Sequence, residues 1–276
     1  MIIDAHQHFW NLDKIKYSWL NPSFKEIYRN IEPPELIPLL KTTGVDKTIL
    51  IQAMDSFEET DYMLSQAAMY PWIAGVVGWV PLNEPDIAEE KIQEYIRNPI
   101  FKGVRHLIHE ENNPDWIVQD KVVKGLMVLE KYNLTFDIVA EFPNHLKHVP
   151  YIVKQVPSLK IVIDHLAKPP NDIEKIKEWS DDLYKASQHS QVYAKISGLN
   201  TSIGGNWSSY DLEQYIDFAK DCFGADRLMF GSDWPIANLA GDYIKVWKET
   251  NKVLQRYPKQ DVEKILGKTA KHFYNL

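Results

Sequence analysis

This sequence has almost no cysteine and no cluster of basic residues. Cys222 is the only cysteine in 276 residues, so no internal disulfide is possible, which is typical of a reducing cytosol. The 31 lysines and arginines are outnumbered by 38 aspartates and glutamates, which gives a formal net charge of −7, and they form no basic run. Because nucleic-acid phosphates require a positive surface, we expect no nucleic-acid partner.

Long apolar runs are also absent. No stretch approaches the ~18 consecutive apolar residues of a membrane span. The opening residues, MIIDAHQHFW, lack the basic segment and the long apolar core of a signal peptide. We therefore expect a cytoplasmic protein that does not bind membranes.

Two common catalytic motifs are missing as well. The sequence has no G-x-G-x-x-G, and the glycines of SIGGN (202–206) do not stand before a helix as a phosphate-binding turn does. This counts against a doubly wound open sheet, the alternative to the fold predicted below. The sequence also has no G-x-S-x-G, the motif that carries the nucleophilic serine of α/β-hydrolases.

Short apolar runs of strand length recur eight times along the chain. Segments with helical spacing of apolar residues fill most of the gaps, as in residues 86–98, 119–133 and 209–224. This alternation predicts a parallel α/β sheet, and eight units predict its closure into a single (β/α)₈ TIM barrel domain over residues 1–276. The eight runs are 1–6, 47–53, 73–80, 101–108, 134–140, 159–166, 192–199 and 227–233.

The connection after the first run is unusually long. It extends from Phe9 to about Val45, which exceeds a normal strand-to-helix loop. It carries three large aromatic residues, Trp10, Tyr17 and Trp19. We expect part of this loop to fold over the mouth of the barrel.

Three histidines and one aspartate stand at the ends of predicted strands. His6 and His8 end the first run two residues apart, so both side chains face the same side; His165 ends the sixth run and Asp233 the eighth. Catalytic groups of TIM barrels cluster at these carboxyl ends. Three imidazoles and one carboxylate suit a zinc-like divalent ion, which activates water at neutral pH. We predict His6, His8, His165 and Asp233 as metal ligands, with Asp233 and His165 as catalytic residues.

Two further strands carry cationic candidates for substrate binding. Arg105 and His106 are adjacent, so a regular strand turns only one of them inward, and Arg105 shares its parity with Gly103. We favour Arg105, with a salt bridge at the barrel rim as the alternative. Lys195 lies on one face of the seventh run with Ser197. It is a candidate for the same site, with a purely structural role as the alternative.

Three other residues flank the predicted ligands. Gln52 ends the second run and is a candidate polar contact. Trp10 follows the first pair of histidines and Trp234 follows Asp233, so both are candidates for an apolar wall against a sugar-like ring. Packing in the core is the alternative for both tryptophans.

Five segments carry a resemblance to a known family: DAHQHFW (4–10), GVRH (103–106), DHLAKP (164–169), KISGL (195–199) and FGSDWP (230–235). In this order they are similar to the amidohydrolase superfamily, and more narrowly to its branch of sugar-acid lactonases that act on L-fucono-, L-rhamnono- or related aldono-lactones. The resemblance implies a (β/α)₈ barrel, a small-molecule sugar lactone as substrate, and hydrolysis with Asp233 as the proton acceptor.

The sequence departs from the two-metal members of that superfamily. These use a lysine at the end of the fourth strand as a bridging ligand, whereas Lys102 begins the fourth run. They also place a histidine after the fifth strand, where this sequence reads DIVAEF. The resemblance therefore implies one divalent ion, zinc by its ligand types, in a branch whose members differ in whether they need metal for turnover.

Two alternatives remain beside the lactonase. Relatives in the same superfamily decarboxylate aromatic or enoic acids with a similar ligand set, and release of carbon dioxide would distinguish them. A non-catalytic sugar-binding barrel would bind its ligand without turnover and would be indifferent to the loss of Asp233.

Overall fold

Eight parallel strands form the centre of the molecule in a computed structural model that describes residues 1–276, apart from the side chain of residue 173. Each strand is hydrogen-bonded to the next in sequence order, in a single sheet. All eight predicted runs are strands. Their bounds are β1 (Ile3–Gln7), β2 (Lys47–Ile51), β3 (Ile73–Gly78), β4 (Phe101–His106), β5 (Thr135–Ile138), β6 (Lys160–Ile163), β7 (Val192–Ile196) and β8 (Leu228–Phe230).

Helices occupy every connection between the strands and follow the last one. Among the residues that the structure describes, no helix is long and apolar enough to cross a membrane. The helices are α1 (Pro33–Thr43), α2 (Phe57–Met69), α3 (Pro85–Tyr95), α4 (Asp120–Lys131), α5 (Val149–Gln155), α6 (Ile173–Ser187), α7 (Leu199–Ile203), α8 (Ser209–Phe223), α9 (Tyr243–Leu254), α10 (Lys259–Glu263) and α11 (Thr269–Phe273).

The sheet closes where β1 meets the residues that follow β8. The amide of His8 donates a 2.8 Å hydrogen bond to the carbonyl of Trp234, and the amide of Asp233 donates one of 2.8 Å to the carbonyl of His6. Gly231 permits this approach, because a Cβ atom there would lie 2.6 Å from Cβ of His6. The predicted (β/α)₈ barrel is confirmed, and its closure brings His6, His8 and Asp233 together.

Seven of the eight strands end two or three residues before the predicted runs do, and two of these ends bear on the site. β6 stops at Ile163 and β8 at Phe230, so His165 and Asp233 lie in the turns beyond them. Both residues have positive φ, 55° and 57°, which is incompatible with an extended strand. The polar ends of these runs are therefore turns that project their side chains above the barrel.

The carboxyl-terminal segment closes the other end of the barrel. Phe273 and Tyr274 are buried against apolar residues near the amino ends of the strands. Close by, Nζ of Lys102 donates a 3.0 Å hydrogen bond to the carbonyl of Asn275. Lys102 thus lies at the amino end of β4, as its position in the run predicts.

The long segment between β1 and α1 packs as a small core of its own. Trp10 is fully buried, and its Nε1 donates to the carbonyls of Ile27 (3.2 Å) and Arg29 (2.9 Å). Trp19 packs edge-to-face on Trp10 with ring centroids 5.6 Å apart. Nε1 of Trp19 also donates to the carbonyl of Ala53 at 2.6 Å, which ties the segment to the residues that follow β2.

Candidate active site

A cavity of about 510 Å³ opens at the carboxyl ends of the strands. Loops that follow strands on all sides of the barrel contribute to its walls. His8, Arg105, His165 and Asp233, all predicted site residues, line it, and so does Trp19 of the long first loop. The cavity therefore lies where catalytic groups of TIM barrels are found.

His6, His165 and Asp233 converge beside this cavity. One potential ligand atom from each lies within 4.8 Å of the others, and all three residues are buried. His8 completes the predicted set, because its Nε2 lies 3.4 Å from Oδ1 of Asp233 and 3.2 Å from Nε2 of His6. Four side chains from three separate segments of the chain thus surround one small volume.

The orientation of His8 is fixed by a backbone contact. Its Nδ1 lies 2.8 Å from the carbonyl oxygen of Ile51, which only accepts hydrogen bonds. Nδ1 therefore carries a hydrogen, and Nε2 faces Oδ1 of Asp233 at 3.4 Å. A proton or a cation between these two atoms would bind to both.

The ring of His6 lies between two cations. Its Nε2 is 3.2 Å from Nη1 of Arg105, and its Nδ1 is 3.0 Å from Nζ of Lys195. Burial and the Lys195 charge hold the pKa of His6 well below its ordinary value, although Asp164 opposes them. His6 is therefore a neutral imidazole, and its unprotonated nitrogen accepts a hydrogen bond from a neighbouring cation or is able to bind a metal ion.

His165 stands in a rare left-handed turn. His165, Leu166, Ala167 and Lys168 have φ of 55°, 48°, 61° and 50°, a conformation that costs roughly 1–2 kcal/mol per residue. Hydrogen bonds to Leu166 and Ala167 hold the turn: Nε1 of Trp179 donates to the first carbonyl (2.8 Å) and the Phe142 amide to the second (3.0 Å). Strain of this kind is typical of functional sites.

The ring of His165 is held from the neighbouring strand. Its Nδ1 lies 2.8 Å from Oγ of Ser197, just beyond β7. Gly198 makes room for the ring, because a Cβ atom at that position would lie 2.7 Å from Nδ1 of His165 and 3.0 Å from Oδ2 of Asp233. Burial lowers the pKa of His165, so this imidazole too is neutral.

Asp233 is ionised in this environment. Burial alone would raise its pKa, but His165, His6 and His8 together lower it below its ordinary value. An ionised carboxylate beside these imidazole rings is able to accept a proton or to bind a cation.

Of the adjacent pair on β4, Arg105 faces the barrel and His106 faces away. Arg105 lines the cavity, whereas His106 stacks on Trp116 with ring centroids 4.0 Å apart. His106 also accepts a 3.0 Å hydrogen bond from Trp79 and lies 2.9 Å from Oε1 of Glu111. The parity argument thus identified the inward residue.

Lys195 lies beneath the cavity. It is fully buried in β7, with Nζ 2.5 Å from Oδ2 of Asp137 and 3.0 Å from Oδ1 of Asp164. Tyr274 donates a 2.7 Å hydrogen bond to the same oxygen of Asp137. Lys195 therefore reaches the site through His6 and two carboxylates, and it does not line the cavity.

Gln52, Trp10 and Trp234 also do not line the cavity. Nε2 of Gln52 donates to the carbonyl of Arg105 (3.2 Å), so this fully buried side chain supports the backbone at the site. Trp10 is enclosed by its own loop, and Trp234 is buried against Phe9. Both tryptophans are therefore packing residues, and the aromatic residues that line the cavity are Trp19 and Phe24.

Several residues that the structure places at the site are assigned no role in the sequence analysis. Asp164 precedes His165 and accepts a 2.9 Å hydrogen bond from Nη1 of Arg105. The sequence feature that could have identified Asp164 is its position in DHLAKP, directly before the predicted ligand His165. The remaining cavity residues come from loops, whose paths no periodicity describes; the polar ones are His109, Glu141, Lys168, Thr201 and Ser202.

The four predicted ligands fit a divalent cation by their chemistry. The pKa values of His6 and His165 are lowered and Asp233 is ionised, all three are buried and close together, and Nε2 of His8 faces Asp233. Three nitrogens and one oxygen are the donor set that zinc accepts.

Comparison with known proteins identifies the family. A profile described as amidohydrolase matches residues 3–276. The chain belongs to the amidohydrolase family. The resemblance seen in its five sequence segments is thereby confirmed, and so is its assignment to the hydrolases.

Two curated relatives share a name. The L-fucono-1,5-lactonase of Burkholderia ambifaria is 34% identical over 278 residues, which is 99% of this chain and 95% of the relative. The L-fucono-1,5-lactonase of Burkholderia multivorans is 32% identical, over 88% of this chain and 85% of the relative. The crystal structure of an amidohydrolase from Burkholderia multivorans with bound zinc superposes with a TM-score of 0.92 at 29% identity, covering 100% of this chain and 99% of that one.

Proposed function

We propose that this amidohydrolase opens the lactone ring of a monosaccharide-derived acid by hydrolysis, with Asp233 activating the water. The observation that carries the proposal is the convergence of His6, His165 and Asp233 within 4.8 Å beside a cavity of about 510 Å³. The names of the two curated relatives support the substrate class, with L-fucono-1,5-lactone as the first candidate.

The first step is the attack of water on the lactone carbonyl. The ionised carboxylate of Asp233 takes one proton from a water molecule while the water oxygen forms a bond to the carbonyl carbon. His8, whose Nε2 is 3.4 Å from Oδ1 of Asp233, and His165 across the cavity floor fix the position of this water. The product of the step is a tetrahedral intermediate with a negative oxygen.

Arg105 stabilises that negative oxygen. Its guanidinium lines the cavity and is held in place by the 2.9 Å hydrogen bond to Asp164. The guanidinium has five N–H donors. Only Nη1 is taken up by Asp164 and His6, so further donors remain for that oxygen. Preorganised donors of this kind account for about 10²–10³ in rate when one is removed from a comparable site.

Ring opening completes the reaction. The intermediate collapses as the bond between the carbonyl carbon and the ring oxygen breaks, and the proton held by Asp233 passes to that oxygen. The product is the open hydroxy acid, and Asp233 is again ionised. One water is consumed, no covalent enzyme intermediate forms, and no nucleophilic serine is needed.

A divalent ion has a place in this site, held by His6, His165 and Asp233 with His8 beside them. When bound, it would supply a Lewis acid and lower the pKa of a bound water. Zinc is our proposal from the ligand types and from the zinc-bound relative.

The charges of the cavity favour a neutral substrate over the carboxylates that decarboxylases take. Arg105 and Lys168 are the basic residues of the described lining, and each already faces a carboxylate: Asp164 at 2.9 Å and Glu141 at 3.3 Å. The full negative charge of a substrate carboxylate would find both cations already balanced by an anion. The lactone is uncharged and makes no such demand.

The proposed lactonase activity is tested by measuring acid release from a panel of aldono-1,5-lactones and aldono-1,4-lactones in weak buffer, corrected for spontaneous hydrolysis. We expect turnover of one or two six-carbon lactones, and a loss of about 10²- to 10⁴-fold in kcat for Asp233→Asn. Asp226→Asn is the matched control, because Asp226 is exposed and pairs with Lys264.

Two results would overturn the proposal. One is an Asp233→Asn variant that is folded and hydrolyses the lactones at the parent rate. The other is the absence of turnover from the unaltered protein with and without added zinc; release of carbon dioxide from an aromatic acid panel would then favour the decarboxylase.

A further inference from the structure

One side of the cavity carries a polar group of three residues that the proposed mechanism does not use. His109, Glu141 and Lys168 follow β4, β5 and β6 and all line the cavity. Nζ of Lys168 lies 3.3 Å from Oε1 of Glu141, and both side chains are about one-third exposed. We call these three residues the polar wall.

The polar wall contains both hydrogen-bond donors and acceptors. Lys168 offers only donors, the carboxylate of Glu141 offers only acceptors, and their charges cancel locally. Nδ1 of His109 is buried without a hydrogen-bond partner among the described residues, and burial lowers the pKa of His109 to about 3, so the ring is neutral. Hydroxyl groups both donate and accept, so a ring that bears several of them matches this wall.

The opposite side of the cavity carries four large apolar residues. Trp19 and Phe24 come from the loop after β1, and Ile236 and Leu239 from the loop after β8. β1 and β8 are neighbours in the closed barrel and lie across from β4 and β5. A bound ring would thus meet hydrogen-bonding groups on one edge and apolar surface on the other.

A rigid connection relates the polar wall to the reacting groups. Lys168 and His165 are the two ends of the same left-handed turn, closed by a 2.9 Å hydrogen bond from the Lys168 amide to the His165 carbonyl. A ring held by Lys168 therefore has a fixed position relative to His165 and Asp233. This is the geometry needed to place one carbonyl reproducibly.

We infer that Glu141 and Lys168, with His109, are the specificity residues that bind the ring hydroxyls of a neutral polyhydroxylated lactone. The inference rests on the proposed lactonase function and names the groups that select its substrate. It requires these residues to matter for a sugar lactone and to be dispensable for a lactone that has no hydroxyl groups.

The test compares two substrates in two variants. Glu141→Gln and Lys168→Met are assayed with the best aldono-1,5-lactone and with δ-valerolactone, which has the same ring without hydroxyls. We expect kcat/KM for the sugar lactone to fall about 10- to 100-fold, the loss typical of a hydrogen bond to a charged group. For δ-valerolactone we expect a change of less than about 2-fold, because no contact is lost.

Matched controls are available on α3, where Lys91 and Glu94 form an exposed pair at 2.9 Å. Glu94→Gln and Lys91→Met make the same chemical changes and should alter neither substrate. Equal losses on both substrates, or no loss on either, would overturn the inference while the lactonase function stands. If the unaltered protein hydrolyses neither substrate, the proposed function itself fails, and the inference fails with it.

Discussion

Arg105 and Asp164 are joined by a 2.9 Å hydrogen bond from Nη1 to Oδ2 beside the candidate active site. Asp164 is almost completely buried, and its other oxygen lies 3.0 Å from Nζ of Lys195. Burial would raise the pKa of Asp164, but Lys195, His6 and Arg105 hold it well below its ordinary value. Asp164 is therefore a permanent anion that orients the guanidinium toward the cavity.

This relationship predicts that Arg105→Lys is not a conservative change. A lysine keeps the charge but loses the planar guanidinium with its several donors, so it is unable to bind Asp164 and a developing oxyanion together. We expect kcat for the lactone to fall about 10²- to 10³-fold, with a smaller change in KM.

Steady-state kinetics would check the prediction, with Arg256→Lys as the control, since Arg256 is an exposed partner of Glu213 and Asp217. A change confined to KM would instead identify Arg105 as a ground-state binding residue.

The fold could be predicted from the sequence because parallel barrel strands are buried on both faces. Such strands read as short continuous apolar runs, and all eight were recognisable. The strand ends were less recognisable: β6 and β8, for example, stop before His165 and Asp233, which adopt positive φ, a conformation that those residue types do not signal. The turns are held by contacts from distant segments, such as that of Trp179 with Leu166.

Within the strands, the site was predictable because strand geometry determines side-chain direction. Strand ends identified His6 and His8, and parity separated Arg105 from His106. The sequence does not show how deep in the barrel an inward side chain lies. Lys195 is therefore predicted as a substrate contact, although it lies one layer below the cavity.

The sequence also does not show which aromatic residues of a loop face the cavity. The position of Trp10 close to His8 predicts a wall residue, whereas the path of the loop buries Trp10 and exposes Trp19 to the cavity. That path depends on hydrogen bonds such as the one from Trp19 to Ala53, between residues far apart in the sequence.

Gly198 provides a steric test of the geometry around His165. A methyl group at this position would lie 2.7 Å from Nδ1 of His165 and would push the ring away from Asp233. We expect Gly198→Ala to reduce kcat/KM by about 10²-fold, because displacements of about 1 Å have that effect on positioned groups.

Gly44→Ala is the matched control for this change. Gly44 has φ of 74° and ψ of 19°, close to the 59° and 9° of Gly198, but a methyl group there meets nothing within 4 Å. Both variants carry the backbone penalty of about 1–2 kcal/mol, measured as a lower free energy of unfolding. If both lose activity equally, backbone strain and not the contact with His165 is the cause.

Metal binding can be tested apart from catalysis. We expect the protein, stripped with a chelator and dialysed, to bind one zinc ion, and His165→Gln to weaken that binding by at least about 10-fold. Competition with a fluorescent zinc chelator would measure both affinities. His272→Gln is the control, since His272 is exposed, and equal affinities in all three proteins would contradict the proposed ligand set.

Glu59 predicts how stability depends on pH. It is fully buried, and its Oε2 accepts hydrogen bonds from the amides of Ala53 (2.9 Å) and Met54 (2.7 Å), next to the carbonyl that holds Trp19. Burial raises its pKa from 4.5 to about 8, against the lowering effect of those amides. The folded protein therefore keeps a proton that the unfolded chain releases above about pH 4.5.

This difference in bound protons between the folded and unfolded protein determines how the free energy of unfolding changes with pH. Between about pH 4.5 and 8, Glu59 lowers the free energy of unfolding by up to ~1.4 kcal/mol for each unit of rising pH, and it contributes no slope below or above that window. Urea unfolding at several pH values would measure the slope. We expect Glu59→Gln to remove the slope between about pH 6 and 8, above the raised pKa values of about 6 of the other buried carboxyls Asp4 and Asp137, because a glutamine oxygen still accepts from both amides but does not ionise. Glu26→Gln, an exposed change in the first loop, should leave the slope intact; a slope that persists in Glu59→Gln would assign the pH dependence to other buried carboxyls.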